Sequence, residues 1–250
     1  MKIFVISLIS DEVRRENLKM CFPKMYSTFN FVNAVDKNQV DLLIDHINVK
    51  SLKVPISQVE IACALSHSSI YKKIVLNDLD SCLILEDDII GSDQDIDKVV
   101  EIYRKLPKNS ILLAGGMDGM KSMNYLYGEL VYSHVYRIHP AYYQFLVRAC
   151  CYVIPKSIAA KILAIQEKSI IRADEWGKFL KNENNVYFSP IFHHPLDLKH
   201  SHIEISRRKE LNGVFKRLFK EGFFFTGYKM LKRNMLKLYA KFKGLKAVFK

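Results

Sequence analysis

The sequence predicts an α/β protein with one mostly parallel sheet, helices on both of its faces and a basic helical tail at the C-terminus. Two observations lead to this prediction. Short apolar runs of strand length, the first being Ile3 to Leu8, alternate with longer stretches of helical periodicity. The net charge is also unevenly distributed along the chain. Residues 1–198 carry 23 Lys and Arg and 23 Asp and Glu, whereas residues 199–250 carry 15 Lys and Arg and 3 Asp and Glu.

The composition is that of a folded protein. The 250 residues are 49% hydrophobic and 26% charged, with 10 glycines and 7 prolines, which excludes a disordered or collagen-like chain. The five cysteines are odd in number and lack zinc-type spacing, so we expect reduced thiols. The first apolar run is too short for a signal peptide, and no run is long enough to span a bilayer. These features favour a cytoplasmic protein.

The elements follow from periodicity and capping. We expect strands at residues 3–8, 29–35, 82–85, 111–114, 149–154 and 186–191. We expect helices at residues 10–20, 58–76, 156–166 and 174–181. The second helix begins at a capping box, in which Ser57 and Glu60 satisfy each other's backbone donors. Residues 115–143 lack periodicity, and a loop of that length in a compact domain usually carries function.

An acidic triplet, Glu86-Asp87-Asp88, directly follows a predicted buried strand. In open α/β sheets the ligand crevice lies at the carboxyl ends of the strands. Carboxylates there are oxygen ligands for Mg²⁺ or Mn²⁺, which in turn bind phosphate oxygens. The triplet is therefore a candidate metal site, with a solvated strand-to-loop turn as the alternative.

Two further motifs lie near the predicted crevice. Ser66 and His67 lie within the helix at 58–76, where a lone histidine is more often structural than catalytic. Arg14 and Arg15 follow the first strand, where cations can bind a diphosphate, although a solvated helix face explains them equally simply.

Asp174 and Glu175 adjoin Trp176, the single tryptophan. A carboxylate beside an aromatic ring suits a sugar acceptor site, because the ring packs on the sugar and the acid takes a hydroxyl proton. An acidic helix N-terminus followed by a core tryptophan is the alternative.

Histidines are further metal-ligand candidates. None of them has the spacing of a helical zinc motif. One of His193, His194 and His202 is expected to complete the coordination of a metal held by Asp88, and we select His194.

Several segments together resemble glycosyltransferase family 25, the bacterial lipooligosaccharide galactosyltransferases and their collagen-modifying relatives. They occur in the family's order at residues 4–8, 14–15, 31–36, 60–67, 83–88, 149–154, 174–176 and 201–203. The resemblance implies a GT-A-like fold with a Rossmann-like sheet over residues 1–205. It also implies an inverting, β-1,4-galactosyltransferase-like enzyme that moves a hexose, with galactose favoured, from a UDP-sugar to a lipooligosaccharide or lipopolysaccharide core.

The resemblance also implies site residues. Mn²⁺ or Mg²⁺ would be held by Asp88 and Glu86, to which His194 is added as the histidine selected above, and the catalytic base would be Asp174 or Glu175. The remaining UDP-sugar contacts would be Ser7, Leu8, Arg15, Asp36, Ser66, His67, Glu86 and Asp87.

Residues 206–250 form a basic tail in which apolar and cationic residues are interleaved at helical spacing. An interfacial amphipathic helix has this pattern, which predicts attachment to the anionic cytoplasmic face of the inner membrane, where a lipid A core acceptor would lie. The alternative is that its apolar face packs on the catalytic domain.

Two other function classes stay open. A Mg²⁺-dependent phosphohydrolase or phosphotransferase also places aspartates after a buried strand, but it normally needs a nucleophilic aspartate after the first strand, where this chain has Ile9-Ser10. A nucleic-acid-binding protein is suggested by the pI of about 9.4. The neutral first 198 residues argue against it, so we expect no nucleic-acid partner.

Overall fold

The computed structural model of the chain describes residues 1–44, 56–196 and 222–249. Within them, the strands are β1 (Lys2–Ser7), β2 (Phe29–Asn33), β3 (Ser81–Glu86), β4 (Ile111–Gly115), β5 (Tyr127–Tyr132), β6 (Val135–Ile138), β7 (Cys151–Pro155), β8 (Val186–Phe192) and β9 (Lys246–Ala247). They form a single nine-stranded sheet with the order β2-β1-β3-β7-β4-β8-β6-β5-β9. The helices are α1 (Glu12–Cys21), α2 (Val40–Ile44), α3 (Gln58–Leu76), α4 (Asp93–Lys105), α5 (Lys156–Lys168), α6 (Trp176–Phe179) and α7 (Gly222–Phe242).

The α/β class with one large sheet is confirmed, but the expectation of a mostly parallel sheet is wrong. Among the described strands, three neighbouring pairs are parallel and five are antiparallel. β7 runs antiparallel between β3 and β4, and the segment expected to be a loop contains the hairpin β5–β6. The parallel character is therefore confined to β2-β1-β3 and β4-β8.

Helices cover both faces of the sheet, as predicted. Alternate residues of β1 point to opposite faces, because successive side chains of a strand do so. Phe4 belongs to the same buried cluster as Ile70 of α3, while Val5 belongs to the cluster that contains Leu18 of α1. Both clusters are apolar, so the central strands are buried on their two sides.

Helix α3 has the predicted bounds and the predicted capping box. The Ser57 hydroxyl accepts the Glu60 N–H, and the Glu60 carboxylate accepts the Ser57 N–H at 3.0 Å. The helix expected at 174–181 is shorter, since α6 is a single turn. Helix α4 was not predicted.

The described part of the C-terminal tail consists of α7 and β9. β9 pairs with β5 at the edge of the sheet, and Ala240 of α7 is fully buried. The predicted boundary at residue 205 and residues 206–221 of the predicted basic tail lie outside the described residues. No helix in the described parts of the chain combines the length and apolar character required to cross a bilayer.

Candidate active site

A cavity of about 420 Å³ opens at the carboxyl ends of β1 and β3. These neighbouring strands are parallel, so their ends meet at the same edge of the sheet. The cavity is lined by seven of the predicted site residues, namely Ser7, Leu8, Asp36, Ser66, Glu86, Asp87 and Asp88. Arg14 and Cys63 also line it. The edge at which the sequence predicts a ligand crevice therefore holds an open cavity.

The side chains of two consecutive arginines of α1, Arg14 and Arg15, make different contacts. Arg14 lines the cavity, and its Nη1 atom lies 2.8 Å from Oδ1 of Asp87 and 3.5 Å from Oδ2 of Asp88. Arg15 instead donates from Nε to the Ser7 hydroxyl at 3.0 Å and stacks on Phe31 at 5.1 Å. The arginine that meets the acidic triplet is thus Arg14, while Arg15 supports the end of β1.

Ser66 fixes the rim of the cavity. Its hydroxyl accepts the N–H of Val35 at 2.8 Å and donates to the carbonyl of Ala62 at 2.7 Å. Both of its strong hydrogen bonds thus go to backbone groups, and they hold the end of β2 against α3. Asp36 follows on the rim, where its Oδ1 accepts the N–H of Asn38 at 2.8 Å.

His67 connects the cavity to the core. Its ring is 1% exposed, with Nε2 3.0 Å from Oε1 of Glu86 and Nδ1 2.8 Å from the hydroxyl of Tyr152. Tyr71 extends the chain of contacts, because its hydroxyl lies 2.7 Å from that of Tyr152. Burial raises the pKa of both tyrosines, so their hydroxyls stay protonated and available as donors. The chain of contacts orients Glu86 from behind.

The aspartates of the triplet have different electrostatic environments. Burial raises the pKa of Asp87, although its hydrogen bond to Arg14 opposes the change. Burial also acts to raise the pKa of Asp88, but the hydrogen bond and charge of His194, then the charges of Arg14 and Arg148, lower it overall. Asp88 is therefore held as a carboxylate, and its Oδ1 atom is buried without a hydrogen-bond donor among the described residues.

The loop after β3 brings His194 close to Asp88. Ile90 and His193 exchange two backbone hydrogen bonds of 2.9 Å, which tie that loop to the end of β8. Gly115, at φ +126°, allows the backbone of Phe192 to approach, since a Cβ there would collide with the Phe192 carbonyl. As a result, Nε2 of His194 lies 3.5 Å from Oδ2 of Asp88.

The tautomer of His194 suits a metal ligand. Its Nδ1 atom lies 3.0 Å from the carbonyl oxygen of Pro195, which can only accept, so Nδ1 carries the hydrogen. In neutral His194, Nε2 therefore presents its lone pair toward Asp88. A histidine that donates one ring N–H to a carbonyl and offers the other nitrogen to a cation is a common metal arrangement.

Asp118 supports the same loop from the end of β4. Its Oδ2 accepts the N–H of His194 at 2.9 Å, and its Oδ1 lies 2.8 Å from Nδ1 of His193. His193 thus pairs with Asp118 rather than with the triplet. His202 lies outside the described residues.

Arg148 was missed by sequence reasoning. It adopts φ +63°, a conformation that is costly for a residue with a Cβ, and it lies just before β7. Its Nη1 donates to the carbonyls of Gly116 at 2.8 Å and Asp118 at 3.1 Å. Its backbone N–H donates to Oδ2 of Asp174 at 3.2 Å. One residue thus connects the loop after β4 to a predicted catalytic carboxylate, and a single sequence gives no signal for it.

Of the two interpretations of Trp176, the core position agrees with the structure and the sugar platform does not. Its ring is fully buried, packs edge-to-face on Tyr152 at 5.1 Å and donates from Nε1 to the Arg148 carbonyl at 2.8 Å. Trp176 is therefore a core residue that positions the Arg148 loop.

The two predicted base residues differ in their surroundings. Glu175 lies 3.5 Å from both Arg172 and Lys178, which balance its charge. Asp174 accepts a hydrogen bond from the backbone N–H of Arg148. Burial raises the pKa of the Cys63 thiol, which lines the cavity, and the negative charges of Glu86 and then Asp174 raise it further. Neither Asp174 nor Glu175 is among the described residues that line the cavity, but Arg148 connects Asp174 to the loop after β4.

Two side-chain sets are candidates for a divalent cation. The ligand atoms of Cys63, His67 and Glu86 lie within 4.8 Å of one another. That set is disfavoured, because burial keeps the Cys63 thiol protonated and both nitrogens of His67 already have partners. Asp88 and His194 fit better, with an unpartnered carboxylate oxygen and a correctly oriented imidazole.

Comparison with known proteins gives a family match. The model of glycosyltransferase family 25, described as an LPS biosynthesis protein, matches residues 1–176. A Haemophilus influenzae protein named "Putative glycosyltransferase" is 33% identical over 89 residues, which are 34% of this chain and 32% of that relative. The match therefore covers about a third of the relative's length.

Solved structures show only distant likeness. A mannose-1-phosphate geranyltransferase from Thermus thermophilus has a TM-score of 0.38 at 11% identity, covering 78% of this chain and 75% of that one. A galactosyltransferase LgtC, in complex with donor and acceptor sugar analogs, has a TM-score of 0.34 at 8% identity, covering 83% and 94%. These scores are too low to bear on function.

Proposed function

The chain belongs to glycosyltransferase family 25, and from this premise we propose that it transfers a hexose from a UDP-sugar to a saccharide acceptor in lipopolysaccharide biosynthesis. The main support is the cavity at the carboxyl ends of β1 and β3, which both Asp36 and Asp88 line. A cavity of about 420 Å³ falls within the size range of small-molecule sites. Its position at the sheet edge is typical of nucleotide sites in open α/β sheets.

We place the nucleoside beside Ser7, Leu8 and Asp36, and the diphosphate toward Arg14 and Asp88. Arg14 is the cation of the cavity that already contacts both aspartates. A divalent cation, Mn²⁺ or Mg²⁺, held by Asp88 and His194 with support from Glu86, would neutralise the diphosphate and stabilise the leaving UDP. The orphaned Oδ1 atom of Asp88 supports this assignment.

The proposed transfer proceeds with inversion. The acceptor hydroxyl attacks the anomeric carbon, the carbon–oxygen bond to UDP breaks, and the hydroxyl proton passes to a carboxylate on the opposite face of the sugar. We favour Asp174 over Glu175 as this base, because two cations already surround Glu175. Arg148 holds Asp174 through its backbone N–H.

We propose galactose as the sugar, a β-1,4 linkage and a lipooligosaccharide or lipopolysaccharide core as the acceptor. Because such an acceptor is lipid-linked, the proposal places the enzyme at the cytoplasmic face of the inner membrane. The whole net charge of +12 lies in residues 199–250, and a basic segment of this kind is attracted to an anionic membrane surface.

The test is UDP release from a panel of UDP-sugars with Mn²⁺ or Mg²⁺ and a core oligosaccharide. We expect release with one hexose donor and its loss in EDTA. A thermal-shift series completes the test, since UDP with Mn²⁺ should raise Tm while a DNA duplex should not. Equal protection by DNA, or phosphate release from simple phosphoesters, would instead support the nucleic-acid-binding or phosphohydrolase alternative.

A further inference from the structure

Helix α7 is fixed to the domain along one face. The Tyr142 hydroxyl donates to the carbonyl of Leu236 at 2.7 Å, and Ala240 is fully buried. On the same side, the guanidinium of Arg233 lies 4.7 Å from the ring centre of Tyr125. Beyond the helix, β9 joins the edge of the sheet. The helix therefore has a defined orientation on the protein.

The opposite face of α7 carries a row of large apolar side chains. Leu231, Met235, Leu238 and Phe242 are between 60% and 86% exposed. Their spacing of four, three and four residues places them on one side of a helix of 3.6 residues per turn. We call these four residues the outer stripe. A folded helix thus has both a buried face and a second apolar face that is exposed among the described residues.

Basic residues border the outer stripe. Lys232 and Lys241 are exposed and are the immediate sequence neighbours of the stripe residues Leu231 and Phe242. Lys243 and Lys246 come after the end of the helix. Residues 222–250 contain eight Lys and Arg and no Asp or Glu. An exposed apolar row with cationic borders is the pattern of a helix that lies in a lipid–water interface.

We propose that the outer stripe inserts into the interfacial region of an anionic phospholipid bilayer, with α7 parallel to the membrane plane. Charge complementarity selects this partner, because cationic borders attract anionic headgroups while the stripe enters the acyl boundary. Pairing with a second copy would instead bring two strongly basic helices together. The packed face of α7 would then set the orientation of the catalytic domain at the membrane.

This proposal goes beyond the transferase reaction and does not depend on it. The sequence pattern alone presents membrane binding and packing on the domain as alternatives. The two opposed faces of α7 accommodate both, with packing through Ala240 and membrane contact through the outer stripe.

The test is co-sedimentation of the full chain with vesicles of phosphatidylethanolamine and phosphatidylglycerol, compared with phosphatidylcholine alone. The variant Leu238→Ser/Phe242→Ser removes half of the stripe and leaves every charge in place. We expect its partition coefficient on anionic vesicles to fall at least about tenfold, given the free energy of burying two large apolar side chains. The matched control is Leu76→Ser, at an exposed leucine where α3 ends.

Unchanged binding by the double variant, or no binding by the wild type, would overturn the proposal. So would a wild-type dimer in light scattering that the variant converts to a monomer, since the stripe would then be a self-association surface. UDP release with a soluble acceptor is measured in parallel and should be equal in all variants. Failure of the transferase proposal would abolish that release in the wild type, so the two failures are distinguishable.

Discussion

Nε2 of His194 lies 3.5 Å from Oδ2 of Asp88, although the two residues follow strands that are not neighbours in the sheet. The backbone pairing of Ile90 with His193 brings them together. The carboxylate and imidazole thus form a preformed pair at the cavity, positioned by main-chain hydrogen bonds rather than by their own attraction.

Replacing Asp88 should abolish transfer without unfolding the protein. In Asp88→Asn, the side chain keeps its size but loses the charge that faces His194 and Arg14. We expect kcat/KM for UDP release to fall by about 100-fold or more, as on removal of a main electrostatic group. Asp97→Asn, on the exposed side of α4, is the control and should match the wild type. Full activity of Asp88→Asn would remove the proposed metal site.

The Asp88–His194 pair should make metal-free stability depend on pH. The pKa of Asp88 is lowered from 3.8, so its contribution is present above about pH 3.8 and is lost as pH falls through the lowered value. The pKa of His194 is raised from 6.5, so its contribution is complete below pH 6.5 and is lost as pH rises through the raised value.

In EDTA, the Tm difference between wild type and His194→Gln should therefore be largest between about pH 4 and 6.5 and shrink above that range. Differential scanning fluorimetry across pH measures this difference. A gap that is constant across the range would show that the pair is not ionised in the folded protein.

Arg148 should be required for activity through its positioning of two loops. Arg148→Gly relieves the positive φ but removes the hydrogen bonds to the carbonyls of Gly116 and Asp118. We expect kcat/KM to fall about 10- to 100-fold, because small displacements of catalytic groups have effects of this size. Arg148→Lys should rescue little, since one ammonium does not reproduce the planar guanidinium. Arg104→Lys, at an exposed position on α4, provides the comparison.

Trp176→Ala should destabilise the fold rather than weaken acceptor binding selectively. The ring is fully buried against Tyr152 and Phe179, so its truncation should cost about 3–5 kcal/mol. Urea unfolding measures the loss, and Trp176→Phe should recover much of it. An unchanged urea midpoint with a raised KM for the acceptor would restore the sugar-platform role.

Local signals in the sequence predict much of the fold. The capping box locates the start of α3, and the apolar run before Glu86 locates β3, because both depend on residues that are adjacent in the chain. The direction of β7 could not be obtained in this way. An apolar run has the same pattern in a parallel or an antiparallel strand that is buried on both faces.

The candidate site is predictable only in part for the same reason. The acidic triplet is recognisable from its place at a strand end, whereas Arg148 is distinguished only by contacts with residues distant in the chain. The environment of Trp176 also depends on tertiary packing. Adjacent carboxylates suggested an acceptor site, yet the ring turns toward Tyr152 and away from solvent.

The pairing of β9 with β5 affects how the tail can be studied. Deleting the tail would leave Tyr127 and Gly128 of β5 without their partners in β9 and would uncover the core around Ala240. An unpaired strand at a sheet edge is a template for association with other chains. A truncated protein would thus be expected to aggregate, and its sedimentation with vesicles would be uninterpretable. Point substitutions on the outer stripe avoid this artefact, because they leave β9 paired with β5 and Ala240 buried.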